Sequence, residues 1–319
     1  MIDITQNKND IQAGMGRLTG RNGDEYSETV QSYFEHYSLD YPAVEHHFGW
    51  FGSRGLKLAG HVWMPVGQRP TLQEAKGTVI VLHGYLNHTG QLKHLIASLL
   101  ENDFAVGSFD LPGHGLSEGQ SAAVGAFSDY TQALLDFVLT IRAFCPGSLH
   151  FVGFSTGAGV GIDYLVHARQ TVFDRIVLAA PLIHWRGYSA SKATYALCRT
   201  FTDRVRRVPQ KNSSDDNFLS FNRSDDYLHG RYVSLDWVKA LYDWNTRLTA
   251  AMPCNKEVFI LQGDRDTTVD WRYNLGLLRA KFPTANVQMV KGARHELFNE
   301  TEVLRKECLV KVKKYLVEI

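Results

Sequence analysis

The chain has almost no net charge, few cysteines and no long apolar run, and each shortage removes a class of function. Its 34 Lys and Arg are offset by 33 Asp and Glu, so bulk electrostatics points to neither nucleic acid nor a strongly anionic partner. No stretch approaches the ~18 uninterrupted apolar residues of a membrane-spanning helix. The first ten residues, Met1 to Asp10, contain no apolar h-region, so they do not read as a signal peptide. The four cysteines, Cys145, Cys198, Cys254 and Cys308, are widely spaced, with no C-x-x-C pair and no cluster with histidine. That argues against a zinc site and a disulfide scaffold and suits free thiols in a reducing compartment, hence a cytoplasmic protein. Cys254 precedes a predicted strand near the site described below, but a buried small hydrophobe is the simpler reading.

The chain's organisation is that of a large globular protein. Residues 1–25 are polar and rich in Gly and Asn, which predicts a mobile arm, and 27–39 read as a short helix. Runs at 46–51 and 56–64, joined through Ser53-Arg54-Gly55, give a hairpin signal. The run Thr78-Val79-Ile80-Val81-Leu82 is wholly apolar apart from Thr78 and rich in β-branched residues, as a strand buried on both faces requires. Further strand-like runs lie at 104–109, 149–152, 175–180, 257–261 and 286–290. Helical patterns at 91–101, 127–144, 156–165, 271–281 and 302–317 alternate with them. Such alternation predicts a mostly parallel sheet with helices on both faces. The rhythm stops at Pro181 and resumes at Glu257. The interval, 182–256, holds many aromatics and no clear buried strand, and so long an excursion predicts an inserted helical lid. The domain reading is therefore 1–45 for the arm and short helix, 46–181 and 257–319 for the core, and 182–256 for the cap.

Within this frame one serine stands out. Ser155 lies in Gly153-Phe154-Ser155-Thr156-Gly157, between an apolar run and a glycine-rich helix start. Strand, sharp turn and helix with serine at the apex describe a nucleophile whose backbone doubles back between small residues. A serine hydroxyl needs a base to take its proton and a third group to orient that base. In open α/β sheets such groups gather at the carboxyl ends of strands. After 257–261 comes Gln262-Gly263-Asp264-Arg265-Asp266, and after 286–290 comes Lys291-Gly292-Ala293-Arg294-His295-Glu296. His295 is the candidate base. Asp264 and Asp266 both qualify as the acid, with Asp266 favoured because it reaches further into its loop. Asp270 reads as the cap of the next helix. The oxyanion requires two backbone donors, for which Thr156 N–H and Tyr85 N–H are the candidates. His83 and His114 read as braces of loop geometry; no second ligand at useful spacing makes His114 a metal ligand.

Together, His83-Gly84, Asp110-Leu111-Pro112-Gly113-His114-Gly115-Leu116-Ser117, Gly153 to Gly157, Gly263-Asp264-Arg265-Asp266 and His295-Glu296-Leu297-Phe298-Asn299-Glu300 resemble the α/β-hydrolase superfamily in content and order. The last stretch looks most like the monoacylglycerol lipase and lysophospholipase branch, also grouped with serine aminopeptidases. The resemblance covers about residues 46–319. It implies an α/β-hydrolase fold with an eight-stranded, mostly parallel sheet, Asp266 as the acid, a helical cap over the site, no cofactor and no metal. Two features depart from it: Thr156 stands where the branch often has methionine, and the N-terminal 45 residues match nothing in it. Serine rather than aspartate at position 155 argues against haloalkane dehalogenase and epoxide hydrolase chemistry.

The leading expectation is a serine hydrolase that cleaves carboxylic esters of acyl lipids, such as a monoacylglycerol or lysophospholipid, through an acyl-enzyme. The aromatic-rich insert supports an apolar acyl site, although for any single ring packing is the simpler account. Arg199, Arg204, Arg206, Arg207 and Lys211 form a basic patch suited to transient contact with a membrane surface, and equally to a solvated helix face. A small-molecule esterase, thioesterase or peptidase would use the same triad. A hydrolase-fold binding protein is the non-enzyme alternative.

Overall fold

The computed structural model describes residues 4–19, 26–66, 76–145, 147–168 and 170–317. In chain order, α1 (Ile4–Gly14) and α2 (Glu28–Tyr37) precede the hairpin of β1 (Val44–Ser53) and β2 (Leu56–Pro65). Next come β3 (Thr78–Leu82), α3 (Lys93–Leu100), β4 (Ala105–Phe109), α4 (Ser128–Ile141), β5 (Leu149–Phe154), α5 (Thr156–His167) and β6 (Arg175–Ala179). Then follow α6 (Tyr188–Cys198), β7 (Arg204–Arg206), α7 (Asp216–Ser224), β8 (Tyr232–Ser234) and α8 (Leu235–Ala250). The alternation closes with β9 (Phe259–Gly263), α9 (Trp271–Lys281), β10 (Asn286–Val290) and α10 (Glu302–Val317). No helix among the described residues is long and apolar enough to cross a membrane.

Eight strands form one sheet in the order β1-β2-β4-β3-β5-β6-β9-β10. The pairs β1/β2 and β2/β4 are antiparallel, and every other neighbouring pair is parallel. Residue alternation sorts the core to two faces. In β3, Val79 and Val81 pack with Val30, Ile96 and Val312 of α2, α3 and α10. Ile80 and Leu82 pack with Leu134, Phe137 and Val160 of α4 and α5 on the opposite face. A strand covered on both sides has no place for polar alternation, which explains its unbroken apolar run. The pattern predicts a strand at 257–261, yet β9 runs Phe259–Gly263, because its pairing with β10 continues to Gly263 opposite Val290.

Two expectations need correction. The first nineteen residues are not a mobile arm over their described part. Residues of α1 and the segment after it bury Ile11, Met15 and Leu18. Trp50 N donates to Gly16 O and Leu18 N to Trp50 O, both at 2.8 Å, which pairs this segment with the edge strand β1. Gln12 Nε2 donates to Leu116 O at 2.8 Å. One buried residue of α1, Ile11, and two of the segment after it, Met15 and Leu18, thus dock a largely polar stretch. The segment 20–25 lies outside the described residues. The insert also contains strands: β7 and β8 form an antiparallel ribbon beside its helices. Three residues each, mostly exposed or half-buried, are too few for alternation to register in the sequence.

Within the insert, α8 carries most of the packing. Ser234 caps it by accepting from Asp236 N at 3.2 Å, a standard role for serine before a helix. Trp244 is fully buried, stacks on Phe127 with centroids 4.3 Å apart and donates Nε1–H to Asp163 Oδ1 at 3.0 Å. This ring is therefore structural packing between the insert and α5.

If the N-terminal segment is an integral part of the core, Ile11→Ala lowers unfolding free energy by about 2 kcal/mol or more, the usual cost of truncating a buried isoleucine. Urea denaturation of the two proteins measures it. A change below about 0.5 kcal/mol, the scale of a surface substitution, would restore the mobile-arm reading.

Candidate active site

Ser155 joins β5 to α5 with φ 52° and ψ −109°. A non-glycine residue there is strained and persists only where its surroundings enforce it. The enforcement is visible: Ser155 N donates to Ala179 O at 2.9 Å, Gly157 N to His83 O at 3.1 Å, and Gly159 N and Leu182 N to Ser155 O at 3.0 and 3.1 Å. Glycine is required on both sides of the turn. A Cβ on Gly153 would lie 2.4 Å from Gly157 O, and one on Gly157 would lie 2.4 Å from Leu82 O. Close approach of three chain segments thus places the serine at the apex and fixes it there.

His295 follows β10, and its Nε2 lies 3.0 Å from Ser155 Oγ. Its Nδ1 lies 2.8 Å from Asp266 Oδ2, in the loop after β9. The carboxylate can only accept, so Nδ1 carries the proton and Nε2 is left to accept from the serine hydroxyl. Asp266 is itself oriented: Oδ1 accepts from Thr268 N at 2.8 Å and Val269 N at 3.1 Å, and Oδ2 from Gln262 Nε2 at 3.0 Å. Burial opposes the charged form of Asp266, yet the His295 charge and these hydrogen bonds outweigh it and hold the carboxyl below its ordinary value. Burial likewise opposes an imidazolium at His295, but Asp266 reverses the balance and raises the histidine above its ordinary value.

The other loop candidates separate cleanly. Asp264 accepts from Gly292 N at 2.7 Å and ties the two loops together without touching His295. Asp270 caps α9 by accepting from Tyr273 N at 3.3 Å. His83 pairs its Nδ1 with Gly84 O at 2.7 Å and accepts from Leu111 N at Nε2, 2.9 Å away, so it braces the loop after β3. His114 Nδ1 lies 2.9 Å from Pro112 O within its own turn. Burial pushes its imidazole down to about 3. No group of three or more metal-ligating side chains occurs among the described residues. Cys254 packs, half-buried, against the core.

The loop carrying Tyr85 passes directly over the serine. A Cβ on Gly84 would lie 3.1 Å from Ser155 Cβ. Among the described residues, neither Tyr85 N nor Thr156 N donates to a protein acceptor. Two backbone donors are therefore free beside the serine, as an oxyanion requires. The Tyr85 side chain ties the loop to its surroundings: its hydroxyl donates to Ala122 O at 2.7 Å and accepts from Ser234 N at 3.0 Å. Its ring stacks on Trp237 of α8 with centroids 3.6 Å apart.

Sequence reasoning missed three groups around this line. The first is the pair His88–Asp226, fully buried at 3.1 Å. Asp226 also accepts from Tyr37 Oη at 2.9 Å, Gln91 Nε2 at 2.6 Å and the amides of Leu228 and His229 at 3.1 and 3.0 Å. Burial disfavours the charge, but His88 and these donors pull the carboxyl far below its ordinary value. The second is Glu296, buried next to His295, accepting from Asn212 Nδ2 at 3.1 Å and Asn299 Nδ2 at 3.2 Å. Burial raises its pKa above the ordinary value. The third is Arg207, whose positive charge acts on His295, Glu296 and Tyr85. The only local sequence signal was the basic patch that contains Arg207, and structure splits that patch: Arg199 pairs with Asp236 at 2.7 Å and Lys211 with Asp216 at 3.1 Å.

Comparison with known proteins bears on the family and the fold. The monoglyceride lipase of Rattus norvegicus is 27% identical over 257 residues, covering 77% of this chain and 82% of that protein. The monoacylglycerol lipase of Mycolicibacterium smegmatis is 22% identical over 267 residues, covering 81% and 92%. Among solved structures, a soluble variant of monoglyceride lipase from Saccharomyces cerevisiae in complex with a substrate analog superposes with TM-score 0.72 at 22% identity, covering 88% of this chain and 96% of that one. Residues 73–302 match the family described as serine aminopeptidase, S33. With well over half of its length matched, the chain belongs to that family: it is a serine hydrolase with the α/β-hydrolase fold.

Proposed function

We propose that the protein cleaves the carboxylic ester of a single-chain acyl lipid, with Ser155 as nucleophile, His295 as general base and acid, and Asp266 as the group that orients it. The observation that carries this reading is the unbroken line from Ser155 Oγ through both ring nitrogens of His295 to Asp266 Oδ2, with steps of 3.0 and 2.8 Å. His295 Nε2 takes the hydroxyl proton as Oγ attacks the ester carbonyl carbon, and the developing oxyanion sits between Tyr85 N–H and Thr156 N–H. Collapse of the tetrahedral intermediate expels the alcohol, which takes the proton back from His295, and leaves an acyl-Ser155. Water, deprotonated by His295, then attacks the acyl carbonyl; the acid leaves and Ser155 regains its proton. Asp266 stays ionised throughout and stabilises the imidazolium of both steps.

The lipid part of the proposal is supported by relatives named as monoglyceride lipases in rat and mouse. Residues 182–256 act as the cap in this reading, supported by the contact of Ser234 and Trp237 with Tyr85 beside the serine. Transient contact of that cap with a membrane surface is supported by Leu197, Phe201 and Val208, exposed at 65, 83 and 76%. A cytoplasmic location belongs to the same proposal and is supported by four free thiols.

Three measurements test these roles. Ser155→Ala abolishes fluorophosphonate labelling and lowers kcat on p-nitrophenyl butyrate about 10⁴-fold or more, since the triad acts as a unit; labelling that persists elsewhere would overturn the nucleophile assignment. Asp266→Asn removes the group that fixes the tautomer and costs about 10³–10⁴ in kcat, whereas Asp264→Asn, which loosens only a loop tie, keeps kcat within about threefold. The reverse ranking would make Asp264 the acid. The rate requires neutral His295, and the Asp266 partnership raises that histidine above its ordinary 6.5. Activity is therefore lost as pH falls through a midpoint above 6.5, and a kcat/KM limb centred below it would contradict the pairing.

A further inference from the structure

The insert carries a cavity of about 580 Å³ that is open to solvent. Its walls carry the guanidiniums of Arg206, Arg207, Arg223 and Arg231 and the imidazole of His229, and no carboxylate lines it. Among the described residues, none of these four arginines forms an ion pair with Asp or Glu. Two of them are held in place by neutral acceptors. Arg231 donates Nη1–H to Asn222 O at 2.8 Å and Nη2–H to Asp226 O at 3.1 Å. Arg207 donates Nη1–H to His229 Nε2 at 2.6 Å. Such partners orient a guanidinium without neutralising it. Two carboxylates linked to these arginines have partners of their own: Asp226 is enclosed by His88, Tyr37 and Gln91, and Glu296, whose charge acts on Arg207, accepts from Asn212 and Asn299.

The cavity adjoins the chemistry on two sides. Gly230 N, in its wall, donates to Leu86 O at 2.9 Å, the residue after Tyr85. Asn212, also in its wall, accepts from Glu296 N at 2.9 Å, the residue after His295. The cavity wall is thus bonded to the residues that directly follow Tyr85 and His295. A volume of this size suits a small polar head and is typical of ligand cavities. Planar forks with several donors match the oxygens of a phosphate better than any neutral group.

We propose that this cavity is a subsite for the phosphate of the substrate, and that the preferred substrate is a single-chain glycerol ester carrying an anionic phosphate head rather than a neutral monoacylglycerol. The inference rests on the hydrolase reading above and specifies its substrate class. The expected selectivity comes from differential binding, because a neutral glycerol leaves the guanidiniums without partners while a phosphate engages them.

The test compares 1-oleoyl-glycerol 3-phosphate with 1-oleoyl-glycerol, both below their aggregation concentrations, in wild type, Arg207→Gln and the double variant Arg223→Gln/Arg231→Gln. The ratio of kcat/KM for the phosphate ester to that for the neutral ester is expected to exceed one in wild type. It falls about tenfold or more in each variant, the scale of one lost charge-assisted contact. Glycerol 3-phosphate and inorganic phosphate are expected to inhibit hydrolysis of the phosphate ester competitively. A wild-type preference for the neutral ester, or a ratio unmoved by the substitutions, overturns the subsite. Calorimetric binding of inorganic phosphate without competition would make it a free-anion site and overturn the substrate assignment. Ser155-dependent turnover of p-nitrophenyl butyrate isolates the two readings: if it persists while the ratio fails, only the subsite falls. If no ester is turned over, the hydrolase reading falls, and arginine-dependent calorimetry still reports on the cavity.

Discussion

The close approach of three backbone segments at residues 82–84, 153–157 and 179–182 is the constraint on which the rest of the structure depends. Ser155 stands at positive φ only because its N–H and C=O are committed to Ala179, Gly159 and Leu182, and because Gly157 presses against the end of β3. Local strain of this kind costs on the order of 1–3 kcal/mol. The surrounding sheet offsets it, since β5 is flanked by β3 and β6 and none of the three strands can shift without breaking the others' ladders. The turn therefore inherits the rigidity of the middle of the sheet. The same geometry brings the loop after β3 over the serine, so the candidate nucleophile and candidate oxyanion donors are positioned by one packing event.

A second constraint binds the insert to that loop. The buried His88–Asp226 pair joins the loop to the insert, and Tyr37 of α2 donates to the same carboxylate. Stripping water from both charges is costly, and the pair is tolerable because Asp226 receives donors on both oxygens. Removing either partner would leave a buried charge without its counterpart. Tyr85 adds a second tie through Ser234 and Trp237. The N-terminal helices thus have a place in the argument: α2 helps to fix the geometry next to the serine, although it contributes nothing to the reaction line itself.

What was legible in the sequence follows from how local each signal is. Ser155, Thr156 and the strand before them form one contiguous strand–turn–helix pattern, and the parallel core was readable because buried strands such as β3 are continuous apolar runs. His295 was legible by position, at the end of a terminal strand. Residues alone favoured Asp266 over Asp264 without separating them, since both lie in one loop; in the structure Asp266 lies against His295 and Asp264 against Gly292. Asp226, Glu296 and Arg207 were illegible because their meaning lies in partners remote in sequence: His88 and Asp226 are 138 positions apart. The docking of the N-terminal segment was missed because its signal is sparse: Ile11 in α1, and Met15 and Leu18 after it, are buried within a largely polar stretch.

The electrostatics at His295 draws these parts together. Asp266 and Glu296 both favour its charged form, while Arg207 and burial oppose it. Of the two carboxylates, Asp266 acts at hydrogen-bond distance and is held ionised by its own donors, whereas Glu296 is drawn toward neutrality by burial and contributes less. Attractive and opposing charges therefore arrive from different directions: the carboxylate from the core loop after β9, the guanidinium from the insert. Since Asp266 acts at hydrogen-bond distance, the carboxylate dominates and the imidazole is raised above its ordinary value. The insert thus contributes a positive charge that acts on His295, and the core loop after β9 contributes the stronger, opposing interaction.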